Sequence, residues 1–180
     1  MKKFIALFLI CLPLMAVAQT DNKYLEGAVP VNNDKVEFST ELQVPAMTKQ
    51  QIYDTMLDWA NNKFQPKDNF NARVLYTNPQ DGSIAVGGEE YMVFSSSALS
   101  LDRTRIYYLL SIVCDNGKCQ IDMNRIRYWY NEARDGGEKY TAEEWITDEM
   151  ALNKAKTKLA PVCGKFRKKT IDLKDELFAE

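Results

Sequence analysis

Histidine is absent from all 180 residues. That removes the commonest general base and the commonest metal ligand. No Cys-His or Ser-His nucleophile pair can be built, and Ser95-Ser96-Ser97 lacks a G-x-S-x-G elbow. Structural zinc usually takes four Cys or His ligands, so no metal site and no cofactor is expected. Positive charge is not in excess: 23 Lys and Arg stand against 25 Asp and Glu, a net charge of −2. General nucleic-acid binding does not suit that balance. Neither an internal repeat nor a low-complexity tract is present. Beyond the N-terminus no apolar run is long enough for a transmembrane span.

The first residues read MKKFIALFLICLPLMAVAQT. Lys2 and Lys3 form a basic start, Phe4 to Val17 an apolar run, and Ala16-Val17-Ala18 an A-x-A cleavage site. This pattern predicts a signal peptide over 1–18 and a mature chain starting at Gln19, exported to the periplasm or cell surface. A lipoprotein anchored at Cys11 is the alternative, but Ile10 stands where a small residue is needed. Loss of Lys2 and Lys3 would take the net charge from −2 to −4. Loss of Cys11 would leave Cys163 without a partner in the chain. Residues 19–34, polar and broken by Gly and Pro, read as a loose arm. Residues 35–180 read as one domain.

Within that domain KVEFSTELQV (35–44) alternates like a half-buried strand, with Val36, Phe38, Leu42 and Val44 on one face. Thr48 and Gln51 form a capping box. Ile52, Met56, Ala60 and Phe64 then follow at helical spacing until Pro66. ARVLYT (72–77) and SIAV (83–86) are strands joined across Asp81-Gly82, and Gly87-Gly88 reads as a bulge or bend. EYMVFSS (90–96) continues the strands. Thr141 and Glu144 cap another helix. Phe166, Thr170, Leu173 and Leu177 mark an amphipathic closing helix.

CDNGKC (114–119) is a two-residue hairpin: Asn116-Gly117 suits a type I′ turn. The strands RIYYLLSIVC and CQIDMNRIRYWY flank it. Cys114 then faces Cys119 on a non-hydrogen-bonded pair, with Cα atoms about 4.5 Å apart. That distance admits a disulfide, and an exported chain favours one. Two reduced thiols are the alternative; a redox pair would want a shorter spacing.

SLDRTRIYY (100–108), RIRYWY (125–130), GGEKYTAEEWITDE (136–149) and KTIDLKDEL (169–177) resemble the exported Bacteroidetes domain-of-unknown-function family 4468. The resemblance implies a TATA-binding-protein-like fold, β-α-β4-α. That is an α+β class: an antiparallel sheet with helices packed on one face. The resemblance brings no activity and no catalytic residues, and the fold name says nothing about DNA.

The aromatic set Tyr107, Tyr108, Tyr128, Trp129, Tyr130, Tyr140 and Trp145 is either a platform for a sugar or apolar ligand or simply core. If the register holds from the turn, Tyr107 and Tyr128 share one face and Trp129 the other. Arg103, Arg105, Arg125 and Arg127 lie on the same hairpin. Arg105 and Arg127 either converge on an anion or pair with Glu89, Glu90, Asp102 or Glu132. Seven Lys or Arg and no acid lie from Lys154 to Lys169, a lipid-facing run or a solvated face. Glu144 and Asp148 sit i, i+4 on an expected helix. Cys163 precedes the closing helix, where its thiol is either activated by the helix end and Lys165 or merely unpaired.

These residues point to a non-catalytic binding or interaction module of the envelope. Tyr107, Tyr128, Tyr130, Trp129, Arg105 and Arg127 are its ligand-binding candidates. The partner would be a small amphipathic ligand, a glycan or an envelope protein. A carboxylate-based envelope hydrolase and a structural partner in an envelope assembly are the alternatives.

Overall fold

The computed structural model describes residues 22–67, 69–97 and 101–180. The signal-peptide reading and Cys11 fall outside them. The chain opens with a 3₁₀ turn at Asn22–Tyr24 and short strands β1 (Val31–Asn32), β2 (Lys35–Val36) and β3 (Phe38–Gln43). Helix α1 (Lys49–Lys63) follows. Then come β4 (Arg73–Asn78), β5 (Ser83–Ser96), β6 (Leu101–Asp115), β7 (Lys118–Tyr130) and β8 (Glu138–Thr141). Single-turn helices α2 (Ala142–Trp145) and α3 (Asp148–Ala151) precede the closing helix α4 (Cys163–Ala179). The main sheet is antiparallel in the order β3-β7-β6-β5-β4, with β8 also on β7. The expected β-α-β4-α order is present; β8, α2 and α3 are inserted before α4.

Local signals explain the helices. Thr48 Oγ1 accepts the Gln51 N–H while Gln51 Oε1 accepts the Thr48 N–H, the reciprocal box that starts α1. Thr141 and Glu144 do the same for α2. Phe166, Thr170, Leu173 and Leu177 of α4 all face the core. α1 and α4 meet at their ends, where Trp59 Nε1 donates to Glu180 at 3.1 Å. Beneath them every second residue of β6 from Thr104 to Cys114 is buried. Ile106, Leu110 and Ile112 are at most 1% exposed, each worth about 1.5–3 kcal/mol of burial.

The hairpin register is as expected, with Cys114 opposite Cys119 and Asp115 opposite Lys118. Its turn is different. Only Gly117 has a positive φ, +76°, whereas type I′ needs two such residues. Tertiary contacts set the turn: Gly117 N–H donates to Met47 O, Val44 N–H to Gly117 O, and Asn116 Oδ1 accepts the Lys49 N–H. The double positive φ occurs instead at Asn33 and Asp34, between β1 and β2. No disulfide joins the cysteines: their sulfurs lie 3.8 Å apart, against about 2.05 Å for a bond. Each is 1% exposed and packs as a small apolar residue. The facing Cys114 thiol, and then burial, push Cys119 upward in pKa.

The register holds through Gly87-Gly88 of β5 and slips elsewhere, at Leu75 of β4 and at Phe94 of β5 itself. Gly88 is needed for space, since a Cβ there would come within 2.1 Å of the Tyr108 ring. The strand expected over 35–44 is two strands, β2 and β3, and Leu42 is 36% exposed rather than buried.

Residues 22–34, read as a loose arm, are held in place. Tyr24 and Val29 are buried, and the Tyr24 hydroxyl donates to Asp172 at 2.6 Å. The basic run is not one solvated face either. Arg167 has no exposed surface and donates to the carbonyls of Tyr24, Leu25 and Ile146. It also donates to Asp148 at 2.7 Å. Glu144 and Asp148 share no helix, because the chain turns between α2 and α3. Cys163 is the first residue of α4, and burial raises its thiol pKa rather than activating it.

Candidate functional site

The register slips once in the β6–β7 ladder. Leu109 pairs with Asn124 but Tyr107 pairs with Arg127, so β7 carries one extra residue. Arg125, with φ of +51°, lies in that bulge. Side chains alternate along a strand, so one extra residue reverses every face beyond it. Tyr128 therefore turns inward, where it is 1% exposed and meets Phe166 of α4 edge-on. Its hydroxyl shares a 2.7 Å hydrogen bond with Thr170. Tyr107, Arg127 and Trp129 turn to the open face, which corrects the expected pairing of Tyr107 with Tyr128.

β8 completes that face. Arg127 lies beside Thr141, and Trp129 beside Lys139. Together with Tyr107 they line a cleft of about 290 Å³, with Tyr128, Tyr140 and Glu144 at its border. Trp129 is fixed by the β7–β8 loop, its Nε1 donating to Gly136 O at 2.7 Å. Gly137, at φ +69°, has no room for a Cβ, which would sit 2.6 Å from Trp129 Nε1. Lys139 Nζ lies 5.1 Å from the Trp129 ring centre and the Arg127 guanidinium 6.0 Å from that of Tyr107, within cation–π range.

Four of the six sequence candidates thus adjoin the cleft, Tyr107, Arg127 and Trp129 on its open face and Tyr128 with its ring turned into the core. Arg105 and Tyr130 do not line the cleft, although the Arg105 guanidinium lies 5.7 Å from the Trp129 ring centre. Arg105 pairs with Glu89 at 2.7 Å and Glu132 at 2.9 Å. It also donates to Asn69 O and the Tyr91 hydroxyl. Glu132 is raised by burial, but hydrogen bonds from Tyr91 and Arg105 hold it below the usual carboxylate range. Tyr130 donates to Asp102 and packs on Phe166. Lys139 and Thr141 were missed as cleft residues. The Asp135-Gly136-Gly137 turn, which brings β8 back onto β7, was the available signal.

The chemistry of the cleft is ring stacking and positive charge. Its carboxylate, Glu144, is occupied in capping α2, and the Thr141 N–H and hydroxyl lower its pKa. Burial raises the Tyr107 pKa, and a 2.6 Å hydrogen bond to Glu138 pushes Tyr140 up to about 12. Both phenols stay neutral near pH 7. Among the described residues no group of His, Cys, Asp and Glu is arranged to hold a metal ion.

A family model, the domain of unknown function DUF4468 with TBP-like fold, matches residues 38–129. No curated protein matches the chain. A DUF4468 family protein from Bacteroides ovatus is similar at 47% identity and a TM-score of 0.82, over 88% of this chain and 90% of that one. A TBP-like protein from Parabacteroides distasonis is similar at 25% identity and a TM-score of 0.69, over 84% of this chain and 92% of that one. With its sheet, its helices and these likenesses in agreement, the chain belongs to the DUF4468 family, a domain of unknown function with a TBP-like fold.

Proposed function

We propose that this chain is an exported, non-catalytic binding module of the bacterial envelope. Its open-face cleft takes a small amphipathic ligand. Export rests on the Lys2-Lys3, apolar run and Ala-Val-Ala pattern. Binding rests on one observation: Tyr107 and Trp129 border a cleft with Arg127 and Lys139, and a loop with no room for a Cβ at Gly137 holds the indole. Rings beside cations favour stacking with an anionic or polar tail. A hydrolase would want two carboxyls flanking a substrate; among the described residues lining this cleft the carboxylate is Glu144, which caps α2.

Native mass spectrometry of the chain purified from its own host tests this reading. The expected result is a retained small molecule that Trp129→Ala loses while its circular dichroism stays unchanged. A chain with no bound mass, before and after incubation with host envelope extract, overturns it.

A second reading, a structural partner in an envelope assembly, draws on β4. Leu75 and Tyr76 are 51% and 53% exposed on the outer edge of the sheet. Such edges invite pairing with another strand. Light scattering would then show a mass above one chain that Tyr76→Lys reduces to one.

A further inference from the structure

The cleft does not stop at Arg127. β3 leaves β7 at the Phe38–Met123 pair, and β8 joins the same edge at the Arg127–Thr141 pair. Between them Asn124, Arg125 and Ile126 have no strand partner on that edge among the described residues. A second cleft, of about 560 Å³, lies at this break and shares Arg127 and Thr141 with the first. Lys35 and Arg125 also line it.

The charges there are unbalanced toward the positive. Among the described residues Lys35, Arg125, Arg127 and Lys139 form no ion pair, unlike Arg105, Lys165 and Arg167. Glu37 and Glu143 carry charge but hydrogen-bond within the protein, so three cations face two anions in the break. Glu143 Oε1 accepts the Val36 N–H at 3.0 Å, and Glu37 Oε2 accepts the Asn124 amide at 3.0 Å. Asn124 Oδ1 is buried without a donor among the described residues. Arg125 is held at a φ of +51°, a backbone region that non-glycine residues seldom occupy and that clusters at binding sites.

We propose that the two clefts form one groove for an acidic oligosaccharide. One sugar ring stacks on Trp129 and Tyr107, and the carboxylate or phosphate of a neighbouring sugar sits among Lys35, Arg125 and Arg127. The proposal rests on the ring-cleft reading above and names its ligand. Arg127 and Trp129 stand two positions apart on the open face, about 7 Å at about 3.3 Å per residue, and Arg125 in the bulge lines the adjoining cleft. Two adjoining clefts that share Arg127 and Thr141 offer more than one ring position, so the occupant is a chain. The rim suits sugar better than an acyl chain, because Arg127, Lys139, Thr141 and Glu144 are all polar.

The test titrates the intact mature chain with galacturonate tetramer, a phosphorylated mannose oligosaccharide and neutral maltotetraose, followed by tryptophan emission and calorimetry. Arg125→Asn is the main variant, since asparagine tolerates positive φ and carries no charge. The expected result is binding of an acidic chain that Arg125→Asn weakens about tenfold or more, the share of one charge-assisted contact. Its salt dependence should fall as well, and maltotetraose should bind at least as weakly as the variant binds the acid. Preference between the uronate and the phosphate arms identifies the source of the charge. Equal binding of neutral and acidic chains, or no effect of Arg125→Asn where Trp129→Ala abolishes binding, overturns the acidic-saccharide proposal and leaves the ring cleft standing. Absence of binding by all three probes overturns the proposal too, while a host-derived ligand lost in Trp129→Ala would still uphold the ring cleft.

Discussion

Arg167 holds Asp148 at 2.7 Å from a position with no solvent exposure. The same guanidinium donates to Tyr24 O and Leu25 O on the N-terminal arm and to Ile146 O before α3. One side chain thus ties three separate stretches of chain together. Removing one partner of a buried pair strands the other. Arg167→Ala should lower stability by about 3–5 kcal/mol, measured by urea unfolding. Limited proteolysis should also cut the arm near Leu25–Ala28. A loss below about 1 kcal/mol, within the ordinary range for a single hydrogen bond, would show that this hub is not structural.

Asp148 gives a pH signature. Burial pushes its carboxyl up, but the Gly27 N–H and Arg167 outweigh that and hold it below its ordinary 3.8. A carboxyl with a depressed folded pKa stabilises above its unfolded pKa and loses that contribution as pH falls through the folded one. Stability should therefore fall on acidification below about pH 4, and Asp148→Asn should flatten the fall. Identical acid-side profiles for the variant and the parent would rule out the linkage.

Glu90 has the opposite sign. Burial raises its pKa, although the Tyr108 hydroxyl donates to it at 2.8 Å. A carboxyl with a raised folded pKa is easier to bury protonated. Stability should then be lost as pH rises from the ordinary 4.5 through the raised value. Glu90→Gln keeps an acceptor for Tyr108 and removes the charge. Its melting temperature at pH 7 should exceed the parent's, and the gap should close near pH 4. A lower melting temperature at both pH values would contradict this.

Gly88 has no space for a methyl group, with three Tyr108 ring atoms between 2.1 and 2.6 Å from an added Cβ. Gly88→Ala should cost about 1–3 kcal/mol by overpacking. Tyr108→Ala in the same chain should recover part of the Gly88→Ala loss, because the ring is the obstacle. Strict additivity of the two losses in a double-mutant cycle would place the strain elsewhere.

Both capping boxes, the closing helix and the Cys114–Cys119 register were legible because each is set by residues close in sequence. The face of Trp129 was not. It depends on a slip at Arg125, where β3 ends and β8 begins, and both neighbours lie far along the chain. The role of Arg167 was hidden for the same reason. In sequence it is one cation in a basic run; its partners on the arm are more than 140 residues away. The fold was thus readable from local pattern, and the cleft only in part, because its lining depends on where distant strands start and stop.

The extra residue at Arg125 behaves as a phase change in β7. Turn-side of it the strand buries its odd-numbered positions, and beyond it the even-numbered ones. The two stretches obey separate rules, so the first can pack under α1 while the second turns Trp129 to the open cleft. A chain lacking Arg125 would keep its composition and its hairpin but turn the cleft inside out, sending Trp129 toward α4 and Tyr128 into water. Its indole emission would shift to the blue, and the aromatic wall of the cleft would be gone without any aromatic residue having been removed.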